Sequence, residues 1–271
     1  MLRDNSNSTR PIWFRGGRGH RLCHFLSLVL RSRNRQIYNY DVTRVLVFLV
    51  SRDLYSHLAS IINKCTSAGV LVKNIFILDM GTSSGRCKAI YENYQLQGIN
   101  LISVSQNSEA FGPYIAWLDE SIAAIIRENN YPYIVTDTDL RFPHPYPEDW
   151  LEQMFFLLNK YRIFTKISLP LRVSDIDVDD RKNIVRHEEM LGSGLVYRLL
   201  QVLFNVRSFY RVCQTDTTFS LYRPGLEFST ISLRLEIGYE ILHMPWYKSF
   251  VNTHEYEFYK RHKRPEFGMW S

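Results

Sequence analysis

The chain has 271 residues, 45% of them apolar and 22% charged, which excludes a disordered tail or a coiled coil as the whole molecule. The net charge of +6 is unevenly placed: residues 1–44 hold nine arginines, no lysine and two acids, Asp4 and Asp41, a surplus of +7. The remainder is close to neutral, so a basic arm precedes a body at 45–271, and a basic protein throughout is excluded.

Such an arm suits an anionic membrane surface, nucleic acid or a solvated leader. Within it, Leu22–Leu30 can form a short amphipathic helix between arginines, a hint of peripheral membrane contact. Phe25–Leu30 is far short of the ~20 apolar residues of a bilayer span, and arginines follow it rather than a cleavage site, so no signal peptide is expected. Four cysteines, at 23, 65, 87 and 213, have neither zinc nor disulfide-scaffold spacing. A reducing compartment and a cytoplasmic location are the expectation. Aromatic residues make up 14% of the chain, with 17 Tyr and 16 Phe, which serves either a ring-rich core or a groove for sugars or bases.

From Val45 onward strand-like and helix-like segments alternate. Val45–Val50 is a continuous apolar run, the pattern of a strand buried on both faces. Leu54, Leu58, Ile61, Ile62 and Cys65 then recur at helical spacing, with Gly69 as the closing residue. Asn74–Leu78 is a second strand, and its helix begins after Ser84 and ends before Gly98. Asn100–Val104 is a third, followed by a helix with Ile115, Leu118, Ile122, Ile125 and Ile126 on one face. Tyr133–Thr136 is a fourth, and Pro147 sits in the first turn of a helix bearing Leu151, Met154, Phe155 and Leu158. A fifth strand is expected at Phe164–Leu169. This alternation predicts an α/β fold with an open, mostly parallel twisted sheet flanked by helices. The charged stretch Asp175–Arg186 reads as a surface loop or mobile lid, and the remainder completes one domain, with a nucleotide-binding half at 45–140 and an acceptor-binding half at 141–271.

Ligands of open parallel sheets bind beyond the carboxyl ends of the strands. There the sequence puts Ser51-Arg52-Asp53, Asp79, Gln106-Asn107 and Asp137-Thr138-Asp139. Asp53 and Asp79 are also good helix caps. Asp137 and Asp139, two residues apart at a strand mouth, repel each other unless a cation lies between them. A hard divalent ion, Mn²⁺ or Mg²⁺, answers that need and can bridge a diphosphate; capping is the bland alternative. Asp216 is either a turn residue or a general base. His243, between apolar residues, reads as a core histidine.

Taken together, VFLVSRD, IFILDMGTSS, YIVTDTDLRFP, KISLPLRVSDI, DTTFSLYRPG, HMPWY, HEYEFY and Trp270 resemble the segments of a GT-A glycosyltransferase, of the inverting family-2-like, bacterial polysaccharide type. The resemblance runs from about Val45 to the C-terminus. It implies a metal-dependent transfer of a sugar from a nucleoside-diphosphate donor, UDP first, to a hydroxyl of a glycan, polysaccharide or lipid-linked acceptor, with no nucleic-acid partner. It implies that Ser51, Arg52 and Asp53 line the nucleotide pocket, with Asn107 on the same edge, and that Asp79 lies near the base. Asp139 would bind the metal, Asp137 would face the ribose or the metal's water shell, and His243 would be a third ligand. Asp216 would be the catalytic base. The family's Asn after the second-strand Asp is Met80 here. Trp117, Trp246 and Tyr247 are available either for sugar stacking or for the core.

Two other readings have their own residues. Phe14–Leu22, with GGRGHRL, resembles the phosphate loop of sugar nucleotidyltransferases. The arginine arm suits a non-enzymatic nucleic-acid binder, whose affinity would fall steeply with salt.

Overall fold

The computed structural model describes residues 36–104, 114–215, 218–225, 228–235 and 238–262. The GGRGHRL loop, Leu22–Leu30, Asn107 and Asp216 lie outside them. The described residues from Tyr38 onward belong to one compact unit. Tyr38 to Arg44, expected with the arm, are fastened to the body: Tyr38 exchanges two hydrogen bonds with the Asn159 side chain (3.0 and 2.8 Å), and Asn129 donates to Arg44 O (3.0 Å).

The expected α/β class is what the structure has. β1 (Leu46–Ser51), β2 (Ile75–Asp79), β3 (Asn100–Ser103) and β4 (Tyr133–Asp137) are parallel and lie in the order β3-β2-β1-β4. β1, central and buried along its whole length, is the most apolar of them, as a strand covered on both faces must be. The sheet continues with β8 (Ser220–Tyr222), β6 (Lys166–Ser168), β9 (Ile231–Leu235) and β7 (Tyr210–Gln214). β8 is antiparallel to both β4 and β6, and β7 is antiparallel to β9, so six of the eight strands run the same way. A separate ribbon pairs β5 (Leu140–Arg141) with β10 (Leu242–His243).

The helices follow the sequence pattern, with boundaries set by caps. α1 (Leu58–Ser67) buries Leu58, Ile61, Ile62 and Cys65, and Gly69 ends it at φ +98°, a conformation glycine adopts freely. Ser84 caps α2 (Gly85–Leu96) by accepting from Cys87 N. The third expected helix is two, α3 (Ile115–Leu118) and α4 (Glu120–Asn129), because the Asp119 carboxylate takes the N–H groups of Ser121 and Ile122 and starts a new helix. α5 (Trp150–Lys160) begins three residues after Pro147, with Asp149 at its N-cap.

Asp175–Arg186 is not a free lid. Ile176 and Ile184 are buried against Trp246, Asp175 accepts from Tyr247 Oη (2.8 Å), and Asp177 accepts from Lys248 N (2.7 Å). Its second half enters α6 (Arg181–Met190). Then come α7 (Leu195–Leu203), α8 (Lys248–Val251) and α9 (His254–His262).

Candidate functional site

The carboxyl ends of β1, β2 and β4 are neighbours in the sheet, so Ser51, Asp79 and Asp137 fall on one edge: Ser51 is opposite Asp79, and Val50 opposite Asp137. What each side chain does there differs. The Ser51 hydroxyl is buried and bonded to Tyr91 Oη (2.6 Å), Thr138 Oγ1 (3.0 Å) and Leu54 O (3.0 Å). Asp53 is 1% exposed and sits at φ +55°, a left-handed backbone that only Asn, Asp and Gly tolerate well. Its carboxylate accepts from Ser83 N (2.8 Å), Ser84 N (2.7 Å) and Ser83 Oγ (3.0 Å), and its own N–H donates to Thr82 Oγ1 (3.2 Å). Asp53 therefore locks the loop after β1 to the start of α2. Asp79 accepts from Thr82 N (2.8 Å) and is only half-buried.

Asp139 is brought against His243 by the β5–β10 ribbon, with Oδ2 3.2 Å from Nε2. Burial disfavours charge on both, yet the charge of His243 and its hydrogen bond hold the Asp139 carboxyl below the usual carboxylate range. Burial likewise works to lower His243, but Asp139, aided by Asp137 and Glu188, raises it. The aspartate is thus ionised and the imidazole favours its protonated form. Asp139 Oδ1 and His243 Nδ1 are buried and accept or donate nothing.

Several further residues reach this edge. Tyr259, on α9, lies where burial and the charges of Asp139 and Asp137 push its phenol up. Glu255 on the same helix accepts from Tyr55 N (2.5 Å), Ser56 N (3.0 Å) and Ser56 Oγ. Arg52 donates to His262 O (3.2 Å). The helix HEYEFYKRH thus closes the loop that follows β1; the signal was the HEYEFY string, whose partner loop lies two hundred residues away in sequence. Burial lowers the pKa of His57, at the N-cap of α1, against the charge of Glu255. Glu188, buried on α6, pairs with Arg234 near the carboxyl end of β9 (2.7 Å).

Asp216 lies outside the described residues, but its neighbour Thr215 is firmly held. Thr215 N donates to Thr230 O (2.7 Å), its hydroxyl meets Ser232 Oγ (2.8 Å) and Ser168 Oγ (3.1 Å), and its carbonyl accepts from Lys166 Nζ (2.9 Å). Trp117 donates to Tyr133 Oη (2.8 Å) within a ring cluster, and Trp246 is buried beside His243. Trp246 is a core residue here, and Trp117 is half-buried.

Among the described residues, no three His, Cys, Asp or Glu side chains are grouped to hold a metal ion. The donor chemistry still fits a hard cation of the Mg²⁺ or Mn²⁺ type. Such ions take one or two protein carboxylates and complete their shell with phosphate oxygens and water, and Asp139 Oδ1 is an ionised oxygen without a partner. A groove of about 430 Å³ lined by Phe76, Asn100 and Ile125 shares no residue with this edge.

No family model and no curated protein matches the sequence. Solved structures with remote likeness include mannosyltransferase PcManGT from Pyrobaculum calidifontis, in complex with GDP-Man and Mn²⁺, 12% identical over 76% of this chain and 52% of that one, TM-score 0.36. Another is glucosyl-3-phosphoglycerate synthase from Mycobacterium tuberculosis, with Mn²⁺ and UDP-glucose, 14% identical over 73% and 60% of the two chains, TM-score 0.40. A third is an apo UDP-glucose pyrophosphorylase, 9% identical over 80% of this chain and 99% of that one, TM-score 0.38. The chain spans between about half and three-fifths of the first two proteins.

Proposed function

We propose that this chain is a metal-dependent GT-A-type glycosyltransferase that moves a sugar from a nucleoside diphosphate, UDP first, to a hydroxyl of a glycan, polysaccharide precursor or lipid-linked sugar, with inversion. The observation that carries the reading is the Asp139 carboxylate, paired with His243 through Oδ2 and with Oδ1 buried and unpartnered, at the carboxyl edge where Ser51, Asp79 and Asp137 end their strands.

Asp139, with Asp137 beside it, would hold a divalent cation, which when bound supplies positive charge to a departing diphosphate; His243 would join them only as a neutral imidazole, released from its ion pair with Asp139. The chain's own residues supply the rest. His243 fixes the Asp139 carboxylate in one orientation. Asp53 and Ser51 hold the β1 loop rigid beneath the nucleotide. Arg52 and Asp79, at the same edge, are the groups we assign to the diphosphate side and the base. Asp216 takes the proton of the acceptor hydroxyl as it attacks the anomeric carbon from the face opposite the leaving group. One displacement through an oxocarbenium-like transition state inverts that carbon.

Titration calorimetry tests the cation and the nucleotide together. UDP is expected to bind with Mn²⁺ or Mg²⁺ present and to lose most affinity in excess chelator and in Asp139→Ala. Equal affinity in chelator overturns the metal role. A screen of nucleotide sugars for hydrolysis then identifies the donor. Pyrophosphate release from a nucleoside triphosphate and a sugar phosphate, with no donor hydrolysed, would instead assign the chain to nucleotidyl transfer.

A further inference from the structure

α7 is apolar on two sides. Its inner side packs on β7 and buries Leu200. At about 100° per residue, Leu195, Val196, Leu199, Val202 and Leu203 fall on the other side in one stripe. All five are exposed, Leu195, Val202 and Leu203 by 72%, 77% and 72%. Phe209, in the loop that follows, is 60% exposed and Met190, just before, 59%. Scattered exposed apolar residues are ordinary, but a continuous stripe of this size marks a contact surface.

This tip is built rather than loose. The Gln201 side chain donates to Val206 O (3.1 Å), Arg207 O (3.3 Å) and Tyr210 O (2.6 Å) and accepts from Val212 N (2.9 Å). One amide thus ties the end of α7, the loop carrying Arg207 and Phe209, and strand β7 into a single unit at the outer end of the sheet.

Charge identifies what the stripe meets. From Met190 to Thr215 there are three arginines and no aspartate or glutamate. Arg198 flanks the stripe and Arg207 lies next to Phe209, both exposed. A helix with an apolar face, basic flanks and no acid suits the headgroup layer of a lipid bilayer, with the side chains in the acyl boundary and the guanidiniums on anionic phosphates. A second copy of the chain fits less well, because a two-fold contact sets like against like and α7 itself carries no acid to meet Arg198. Residues 1–44, with their surplus of +7, would be repelled by it. We therefore infer that α7 and the following loop dock this protein on anionic lipid membranes, through a surface distinct from the candidate active edge.

The test uses the full chain. A fluorophore that brightens in apolar surroundings is attached at Val202→Cys in a Cys23→Ser background. Cys65, Cys87 and Cys213 are buried, and burial raises the thiol pKa of each, that of Cys65 and Cys87 to about 12, so they resist labelling. Emission should rise and shift to the blue on adding phosphatidylcholine vesicles containing phosphatidylglycerol, and far less with phosphatidylcholine alone. In flotation assays Leu199→Glu with Val202→Glu should weaken binding by about tenfold or more. Arg198→Gln and Arg207→Gln should each weaken it by about fivefold. Neither set touches the core, and unchanged melting confirms intact folding. Three outcomes overturn the inference: no change in emission, vesicle binding unaffected by the glutamates, or a stable dimer that the glutamates dissolve.

Discussion

Between β3 and β4 the sheet is filled with aliphatic and aromatic side chains, whereas between β8 and β7 its interior carries lysine, arginine, serine and threonine. In the first half Phe48 stacks on Phe76 (5.0 Å between centroids), and β1 has no polar side chain before Ser51. In the second, Lys166, Ser168, Ser220, Ser232 and Arg223 are all buried. Ser168 is bonded to Ser220 (2.6 Å) and Thr215 (3.1 Å), and Lys166 Nζ lies 4.8 Å from the Phe228 ring centroid. Arg223 donates to Phe164 O (3.1 Å) and to Leu158 O. The first half grows by consecutive strand–helix units, which apolar burial alone can specify. The second interleaves strands from four parts of the chain, and a one-residue slip of β8 would turn Ser220 away from Ser168. Directional bonds fix there what the order of the chain does not.

The largest effect is expected in turnover, and it asks whether this second half does chemistry. Asp216→Asn should lower turnover by about 10²–10⁴, the usual scale for loss of a general base, with nucleotide affinity and melting little changed. Glu188→Gln should mainly lower stability, because it weakens a buried ion pair with Arg234. The opposite pattern, a collapse of turnover in Glu188→Gln and normal activity in Asp216→Asn, would move the base onto α6.

Next in size is a pair of core substitutions read by urea unfolding. Phe48→Ala removes a ring from the apolar half and should cost about 3–5 kcal/mol. Arg223→Met leaves the carbonyls of Phe164 and Leu158 without their donor and should cost about 2–4 kcal/mol. Apolar replacement of buried charge is sometimes neutral or stabilising. If Arg223→Met is so, the polar interior sets register without supporting stability, and the contrast between the halves becomes one of specificity.

That contrast also explains what could be read from the sequence. Strands with apolar runs and helices with Ile or Leu at helical spacing stood out, and β1 to β4 lie within a residue or two of expectation. The split at Asp119, the direction of β8 and the place of β7 at the sheet's outer edge did not, since each depends on a contact far away in sequence. At the edge, Asp79, Asp137 and Asp139 follow from strand ends. The roles of Asp53 and Ser51 as internal fasteners do not, because an aspartate that binds a ligand and one that binds two backbone N–H groups have the same spelling. HEYEFY stood out as a string, but that its Glu255 would fasten the loop after β1 was hidden for the same reason as β8. The lid expected at Asp175–Arg186 came from its charge, while Ile176 and Ile184, which tie it down, are only two residues among many acids and bases.

Asp53 supplies a smaller and sharper test of the fastener role. Asp53→Ala removes the acceptor for Ser83 N and Ser84 N and puts a β-carbon without local hydrogen bonding at φ +55°, so about 2–3 kcal/mol should be lost. Asp53→Asn keeps an oxygen for the two N–H groups and tolerates the backbone, and should cost less than about 1 kcal/mol. A large loss of nucleotide affinity in Asp53→Asn with unchanged melting would mean that the carboxylate's charge, not its bonding, is what the site needs.

The smallest effect concerns His57 and the acid side of the stability profile. Burial keeps its pKa below the ordinary value of 6.5, although the charges of Glu255 and Asp139 pull the other way and Arg141 adds to the lowering. As pH falls through about 6.5, the unfolded chain takes up a proton that the folded chain refuses, so unfolding gains ground with each step. The penalty grows until the folded-state pKa is reached and is then constant. His243, raised by Asp139, contributes with the opposite sign: its stabilisation is complete below 6.5 and is lost as pH rises through its folded value. The two partly cancel in the wild type, so the difference between variants is the informative quantity. His57→Phe, which can pack on Phe250 (5.1 Å from the present ring), should remove only the first contribution. Melting temperatures of wild type and His57→Phe should therefore converge or cross in favour of the variant below pH 6, with their separation constant above pH 7. A separation that does not vary with pH would show that His57 titrates alike in the folded and unfolded chain, and that the edge beside Asp139 is open to water.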